Sequence, residues 1–352
     1  VTPQVVVTCG VGGVGKTTTA AAFGVAHALA GARVVVVTID PARRLADALG
    51  VSLTSHTPER VPLDDPSICG TLSAVMLDRK AMWDSMVRTL APSADAADRL
   101  IHNRYYRAVS TRLTGSHEYM AVELLHALVA EGAWDVIVLD TPPASNAEEF
   151  LRAPDRVRRL LDRRVLEALT GSAGGLFGGA TRKALGLARR LIGERVFDDI
   201  QEFLGLLSAI SEQVVAHNAA IDKLLASRST AFYLVVTVNH GRDADDARFI
   251  ETLRERGIRF GGFIANRVHE PPPPIQRFDP QPPSGVDPAA WAQWVDVLGA
   301  LPNAAAREAE HDRRAAERLA SGGDSVWCLP EVPGGAHSVT ALRRLAERLP
   351  PR

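Results

Sequence analysis

The chain has 352 residues, 46% of them hydrophobic and 23% charged, with 40 Lys and Arg against 41 Asp and Glu. This composition excludes a disordered polar chain, because there is enough apolar surface to build a core. A formal net charge of −1 gives no basic excess for nucleic acid or an anionic membrane surface, and the length suits one large α/β domain with insertions or about two smaller domains.

Short β-branched runs alternate with longer helical patterns. Gln4–Cys9 reads as a strand, followed by a glycine loop and an Ala-rich helix over about Thr17–Ala30 that stops at Gly31. Further strands are predicted at Arg33–Ile39, Thr71–Leu77, Trp134–Leu139, Phe232–Val238, Gly262–Ala265 and Ser325–Leu329. Their apolar runs are continuous rather than alternating, which suits strands buried on both faces of a parallel sheet. A helical block spans Ser85–Val129, and between about Phe150 and Arg228 the strand signals vanish. There, Ile200, Phe203, Leu204, Leu207, Ile210, Val214, Ile221, Leu224 and Leu225 recur at helical spacing. Before them lie the apolar Gly171–Gly179 and the basic-faced Thr181–Val196. Pro271–Pro274 opens a Pro-rich loop over 271–284, Asp287-Pro288 reads as an N-cap with Pro at N1 opening helices to about Ala320, and a last helix begins near Ser338.

These elements predict an α/β fold with a mostly parallel twisted sheet flanked by helices, plus an inserted α-helical subdomain; with the loop Gly10–Thr17, which matches G-x-x-x-x-G-K-[ST], it reads as a P-loop NTPase. The expected organisation is a single domain over 1–352, with helical insertions at about 80–130 and 150–228 forming the subdomain. Cys9, Cys69 and Cys328 lie far apart without a C-x-x-C, so neither a zinc clip nor a disulfide framework is expected. The composition fits a reducing cytoplasm. No run approaches the ~18–20 apolar residues of a membrane span. Val1-Thr2-Pro3-Gln4 lacks both a signal-peptide pattern and a Met, so the numbering is expected to begin inside a longer or trimmed chain.

Only four of the basic residues are lysines: Lys16, Lys80, Lys183 and Lys223. Codon bias explains the scarcity and makes the placement of Lys16 informative. Gly10-Val11-Gly12-Gly13-Val14-Gly15-Lys16-Thr17 satisfies G-x-x-x-x-G-K-[ST] between a predicted strand and a predicted helix. Glycines let the backbone curl so that successive N–H groups point at phosphate oxygens, and the helix N-terminus adds positive potential. Lys16 would meet the β/γ-phosphates, and the Thr17 hydroxyl would ligate Mg2+. Asp140 ends the apolar strand WDVIVLD and would hold Mg2+ through a water. Asp40 ends VVVVTID at the edge where ligands bind in such sheets, placed to orient or deprotonate an attacking water.

GVGGVGKTTTA, DPARRLADALG and LDTPPASN together resemble the arsenite-pump ATPase family, which includes the ATPases that guide tail-anchored membrane proteins and belongs to the deviant-Walker-A branch. The resemblance implies that Gly12, Gly13, Val14, Gly15, Lys16, Thr17 and Thr18 bind phosphates and that Asp40 is the switch I acid. It makes Asp140 the second switch acid, places Asn266 on the adenine edge, and has the Leu329–Val332 stretch with Pro330 cover the base. Asn239-His240-Gly241-Arg242 lacks the Lys and Asp of a guanine reader, which favours ATP over GTP.

Three departures stand out. The family's first loop lysine, which reaches a partner's phosphates across a dimer interface, is Val11 here. Switch I continues with Arg43 and Arg44 rather than His-Ser. The arsenite-binding cysteines and the zinc C-x-x-C are missing, so no arsenite or zinc site is expected. The resemblance implies an ATPase, with ATP and Mg2+, that drives a dimer open/close switch. The dimer is either a homodimer or a heterodimer with a paralogue carrying the intact lysine; alternatively Arg43 or Arg44 supplies the charge in cis. A nucleotide-gated chaperone or scaffold with little turnover is the alternative, and a small-molecule kinase a third reading. Gly171–Ile192 is a candidate contact for a hydrophobic client or membrane surface, against packing on the subdomain. His117, Glu118, Tyr119 and Met120 read as a helix N-terminus, with a place near the switches as the other option.

Overall fold

The computed structural model describes residues 2–40, 44–53, 57–63, 68–112, 116–141, 147–161, 190, 193–238, 244–273, 281–282 and 284–350. Eight strands form one sheet: β1 (Gln4–Cys9), β2 (Arg33–Thr38), β3 (Glu59–Val61), β4 (Thr71–Met76), β5 (Val136–Asp140), β6 (Thr230–Thr237), β7 (Arg259–Val268) and β8 (Val326–Pro330). The order is β3-β4-β2-β5-β1-β6-β7-β8. Every pairing is parallel except β3 with β4. The predicted strands are all present, within a few residues of their expected ends. The sequence reading omitted β3, whose three residues are too few to show a period.

Eleven helices are described: α1 (Lys16–Leu29), α2 (Arg44–Leu49), α3 (Arg79–Leu90), α4 (Ala94–His102), α5 (Arg104–Arg112), α6 (Ser116–Glu131), α7 (Ala147–Leu160), α8 (Glu194–Leu225), α9 (Ala244–Glu255), α10 (Pro288–Ala320) and α11 (Val339–Ala346). The expected cap at Asp287 is present, and a second side-chain cap opens the last helix. The Asp287 side chain accepts from the Ala289 N–H ahead of α10, and Ser338 accepts from Ala341 ahead of α11. The segment from Pro288 to Ala320 is one helix, not several, and keeps Pro302 inside it.

Alternation along the strands sorts the core into two layers. Val5, Val7, Cys9, Val35, Val37, Ile137 and Leu139 face one side, packed with residues of α6 to α10 such as Leu125, Phe150, Ile221, Phe249 and Leu319. Val6, Val34, Val36, Val136 and Val138 face the other, under α1, α2 and α11. Both faces of the central strands are therefore dry, which is why QVVVTC, RVVVVT and VIVLD carry apolar runs without polar alternation.

A third cluster joins α3 to α8 through Trp83, Met86, Leu100, Tyr106, Tyr119, Val157, Phe203 and Val214. Tyr119 donates to Asn218 Oδ1 at 2.8 Å, and Tyr119 and Met120 are fully buried. They are therefore core residues of this helical layer rather than parts of a surface near the switches. The Gly171–Ile192 segment, apart from residue 190, lies outside the described residues, as do Pro41–Arg43, Pro142–Asn146, Asn239–Arg242 and residues 274–280 and 283 of the Pro-rich loop.

Candidate functional site

The strand order puts β1 between β5 and β6, with β2 beyond β5. The C-terminal ends of β1, β2 and β5 therefore converge on one edge, where open parallel sheets bind ligands. Each of the three ends carries a polar residue. Thr8 and Thr38 both lie opposite Asp140 in register.

The loop after β1 turns sharply into α1. Gly10 has φ 147°, and a Cβ there would lie 2.3 Å from the Val235 carbonyl oxygen. Gly15 has φ 95°, and a Cβ would lie 2.1 Å from the Asn266 amide nitrogen. Only glycine combines that backbone with such close approach. Gly12 and Gly13 are exposed on the loop's outer surface, whereas the Val14 side chain is buried. Asn266 Nδ2 donates to the Val14 carbonyl at 2.8 Å, so the end of β7 fastens the loop. The resemblance put Asn266 on a base; here its amide nitrogen is occupied by the loop backbone. Pro330 is buried at the end of β8, opposite Val268, and Glu331 N–H donates to the Val268 carbonyl at 3.0 Å. Asn266 and Pro330 thus lie on adjoining strand ends.

Lys16 is 8% exposed and its ammonium donates to the Val11 carbonyl at 2.8 Å. Burial lowers its pKa below the ordinary lysine value, and the Asp140 carboxylate acts in the opposite sense. The Thr17 hydroxyl donates to Asp140 Oδ2 at 2.7 Å, and the Thr38 hydroxyl donates to the same oxygen at 3.1 Å. Burial pushes the Asp140 carboxyl up to about 6, opposed by the two hydroxyls and by Lys16. Asp140 Oδ1 is buried and has no hydrogen-bond partner among the described residues. A buried carboxylate oxygen without a donor is costly, and a cation or its bound water is the partner that chemistry supplies. The residues present therefore fit Mg2+, which binds through one or two protein oxygens, phosphates and waters.

Asp40 is half-buried at the mouth, and Arg44 Nε lies 3.7 Å from its Oδ2. Thr18 is half-buried on the first turn of α1. Val11 packs its side chain against the core under α1. Burial pushes the Cys9 thiol up to about 12, which leaves it protonated and unsuited to nucleophilic work. Among the described residues, no group of three or more His, Cys, Asp and Glu is placed to hold a metal ion, and no helix is long and apolar enough to cross a membrane.

The sequence reading brought Lys16, Thr17, Asp40 and Asp140 together from separate motifs, and they do converge. It missed Thr38 and Thr141. The Thr141 hydroxyl donates to the Thr8 carbonyl at 2.8 Å, tying β5 to β1. The available signal was a threonine at or beside the end of each of the three central strands.

Residues 3–274 match the family described as anion-transporting ATPase. The chain is 28% identical over 273 residues to protein Rv2184c of Mycobacterium tuberculosis, covering 74% of this chain and 57% of that protein. It is 29% identical over 264 residues to ATPase ARSA2 of Chlamydomonas reinhardtii, covering 74% and 66%. It is also 23% identical over 275 residues to ATPase GET3 of Malassezia globosa, covering 76% and 73%. The chain thus spans roughly three-fifths of the length of the first relatives it matches.

Proposed function

This chain belongs to the anion-transporting ATPase family, and on that premise we propose that it binds ATP with Mg2+ at the loop Gly10–Thr17 and hydrolyses it to ADP and phosphate. The observation that carries the reading is Asp140, a buried carboxylate with one oxygen on the Thr17 hydroxyl and the other unpartnered. Lys16 lies at the same site, on a loop that Asn266 fastens.

In this reading the backbone N–H groups of Gly12, Gly13, Val14 and Gly15 receive phosphate oxygens, with Thr18 on the first turn of α1. Lys16 leaves the Val11 carbonyl for the β/γ-phosphates, exchanging one neutral acceptor for charged ones. Thr17 and Asp140, the latter through a water, would hold Mg2+, which would supply neutralisation of charge on the phosphates. Asp40 accepts a proton from the water that attacks the γ-phosphorus while the bond to the bridging oxygen breaks. Asn266 and Pro330 border the base.

Turnover would open and close a dimer, either of two copies or with a paralogue that carries a lysine where this chain has Val11, in a nucleotide-rich compartment such as the cytoplasm. Hydrophobic clients or a membrane surface are the partners for the segment 171–192; nucleic acid, arsenite and zinc are not. A second reading, a nucleotide-gated chaperone or scaffold with little turnover, is favoured by one observation: Val11 brings no charge to the loop.

Single-turnover hydrolysis by the full chain tests both, with Mg2+ and with EDTA. We expect Mg2+-dependent phosphate release without any acceptor, reduced at least about 100-fold in Asp40→Asn with ATP binding kept. Tight ATP binding with no release in any condition would select the scaffold. Release only when a small-molecule acceptor is present would select a kinase.

A further inference from the structure

Thr38 lies outside the loop and the two acids that the sequence singled out, yet it stands between those acids. It ends β2, is 2% exposed, and sits opposite Asp140 across the β2–β5 pair. Its hydroxyl donates to Asp140 Oδ2 at 3.1 Å and accepts from the Asp40 backbone N–H at 3.3 Å. Thr17 donates to that same Oδ2 at 2.7 Å. A continuous chain therefore runs from the Asp40 backbone through Thr38 and Asp140 to the first turn of α1. A hydroxyl is the small side-chain group that can donate and accept at once, and this one uses both capacities on the two acids.

We propose that Thr38 is a positioning residue that ties the backbone of Asp40 to the carboxylate of Asp140, so that the water-orienting acid and the cation-binding acid are held as one unit. The proposal rests on the nucleotide-site reading above and extends it to a residue that touches neither ATP nor the cation. The terminal torsion of an aspartate is broad and roughly two-fold, so a carboxylate held by one hydroxyl is free to swing. With Thr17 and Thr38 both on Oδ2, the torsion is held, and Oδ1 is the oxygen left for an outside partner. The rigid strand pair sets the Thr38 hydroxyl, the hydroxyl aims the carboxylate, and the same hydroxyl anchors the first residue beyond Ile39. Ordering of Asp140 at the cation is thereby transmitted to the segment that carries Asp40. Valine has the shape of threonine without the hydroxyl, and serine keeps the hydroxyl without the methyl.

The test measures ATP affinity of the full chain in Mg2+ and in EDTA for the wild type, Thr38→Val and Thr38→Ser, together with amide-resolved hydrogen exchange at Asp40 in the nucleotide-free protein. Thr38→Ala repeats the loss of the hydroxyl should the Val variant not fold. We expect Thr38→Val to keep its affinity in EDTA within about twofold and to lose about tenfold of the gain that Mg2+ gives. Thr38→Ser should stay within about threefold of the wild type in both conditions, and Asp40 amide exchange should accelerate about tenfold in Val and not in Ser. A Val variant with the full Mg2+ gain overturns the proposal, as does a Ser variant as impaired as Val, since that marks the methyl packing as the cause. If the wild type binds no ATP at all, the nucleotide-site reading fails on its own. The exchange rates then decide the tether: unequal rates support it and equal rates overturn it.

Discussion

The Lys16 ammonium donates to the backbone carbonyl of Val11, 2.8 Å away across the loop, while the Val11 side chain packs on the core beneath α1. Position 11 thus gives the loop an acceptor and no charge. Burial already makes the Lys16 ammonium less favourable than a free one, so an anionic ligand improves its surroundings on binding. Lys16→Ala is expected to lower ATP affinity at least about 100-fold, the worth of one or two charge-assisted hydrogen bonds. Calorimetric titration of ATP checks this, and an unchanged affinity would move the nucleotide elsewhere.

Arg44 is the described cation beside the acid of the site, 3.7 Å from Asp40 with 67% of its side chain exposed. Its charge also acts to lower the Lys16 pKa, after the larger effect of burial. If it stands in for the charge missing at Val11, Arg44→Ala should slow single-turnover hydrolysis about 10- to 100-fold while ATP affinity stays within a few-fold. Val11→Lys in that background should recover part of the rate. A rate that ignores Arg44 and rises with protein concentration would assign the cation to a second chain.

The raised pKa of Asp140, about 6 against an ordinary 3.8, has a defined consequence for stability. A carboxyl that holds its proton more tightly when folded contributes most below pH 4, and that contribution is lost as pH rises through about 6. Asp140→Asn removes the loss while its amide oxygen still accepts from Thr17 and Thr38. The nucleotide-free variant should therefore be more stable than the wild type above pH 6, by on the order of 2–3 kcal/mol, with the difference vanishing toward pH 4. Chemical denaturation across pH measures it. The same variant should lose the Mg2+-dependent gain in ATP affinity, a trade of stability against function.

In the helical layer, His217 Nε2 lies 2.6 Å from Glu123 Oε2, joining α8 to α6. Glu123 is nearly fully buried, and its hydrogen bond raises the His217 pKa. That contribution is complete below pH 6.5 and is lost as pH rises through the folded value. His217→Ala leaves a buried carboxylate without its cation and should cost roughly 1–3 kcal/mol at pH 6, discounted because the histidine is partly solvated. Thermal unfolding at pH 6 and pH 8 should show a smaller penalty at the higher pH.

Much of the molecule could be read from the residues alone. Runs such as RVVVVT and VIVLD favour strands buried on both faces, because β-branched residues suit an extended backbone and a continuous apolar run leaves no polar face for water. The phosphate loop was legible because its chemistry is local: the glycines act through their backbone, and the side chains of Lys16 and Thr17 follow them at fixed spacing. Asp40 and Asp140 were legible as acids ending apolar strands. Sequence could not give the strand order, and the strand order places Thr38 against Asp140, 102 residues apart. Nor could it show that Asn266 reaches the Val14 carbonyl or that Asp140 Oδ1 is left without a partner. Those relations depend on distances between side chains from different strands. Residue type and spacing determine which groups are present and which elements carry them. Only packing of the sheet decides which groups meet, because hydrogen bonds and desolvation act over a few ångströms of space and are blind to separation along the chain.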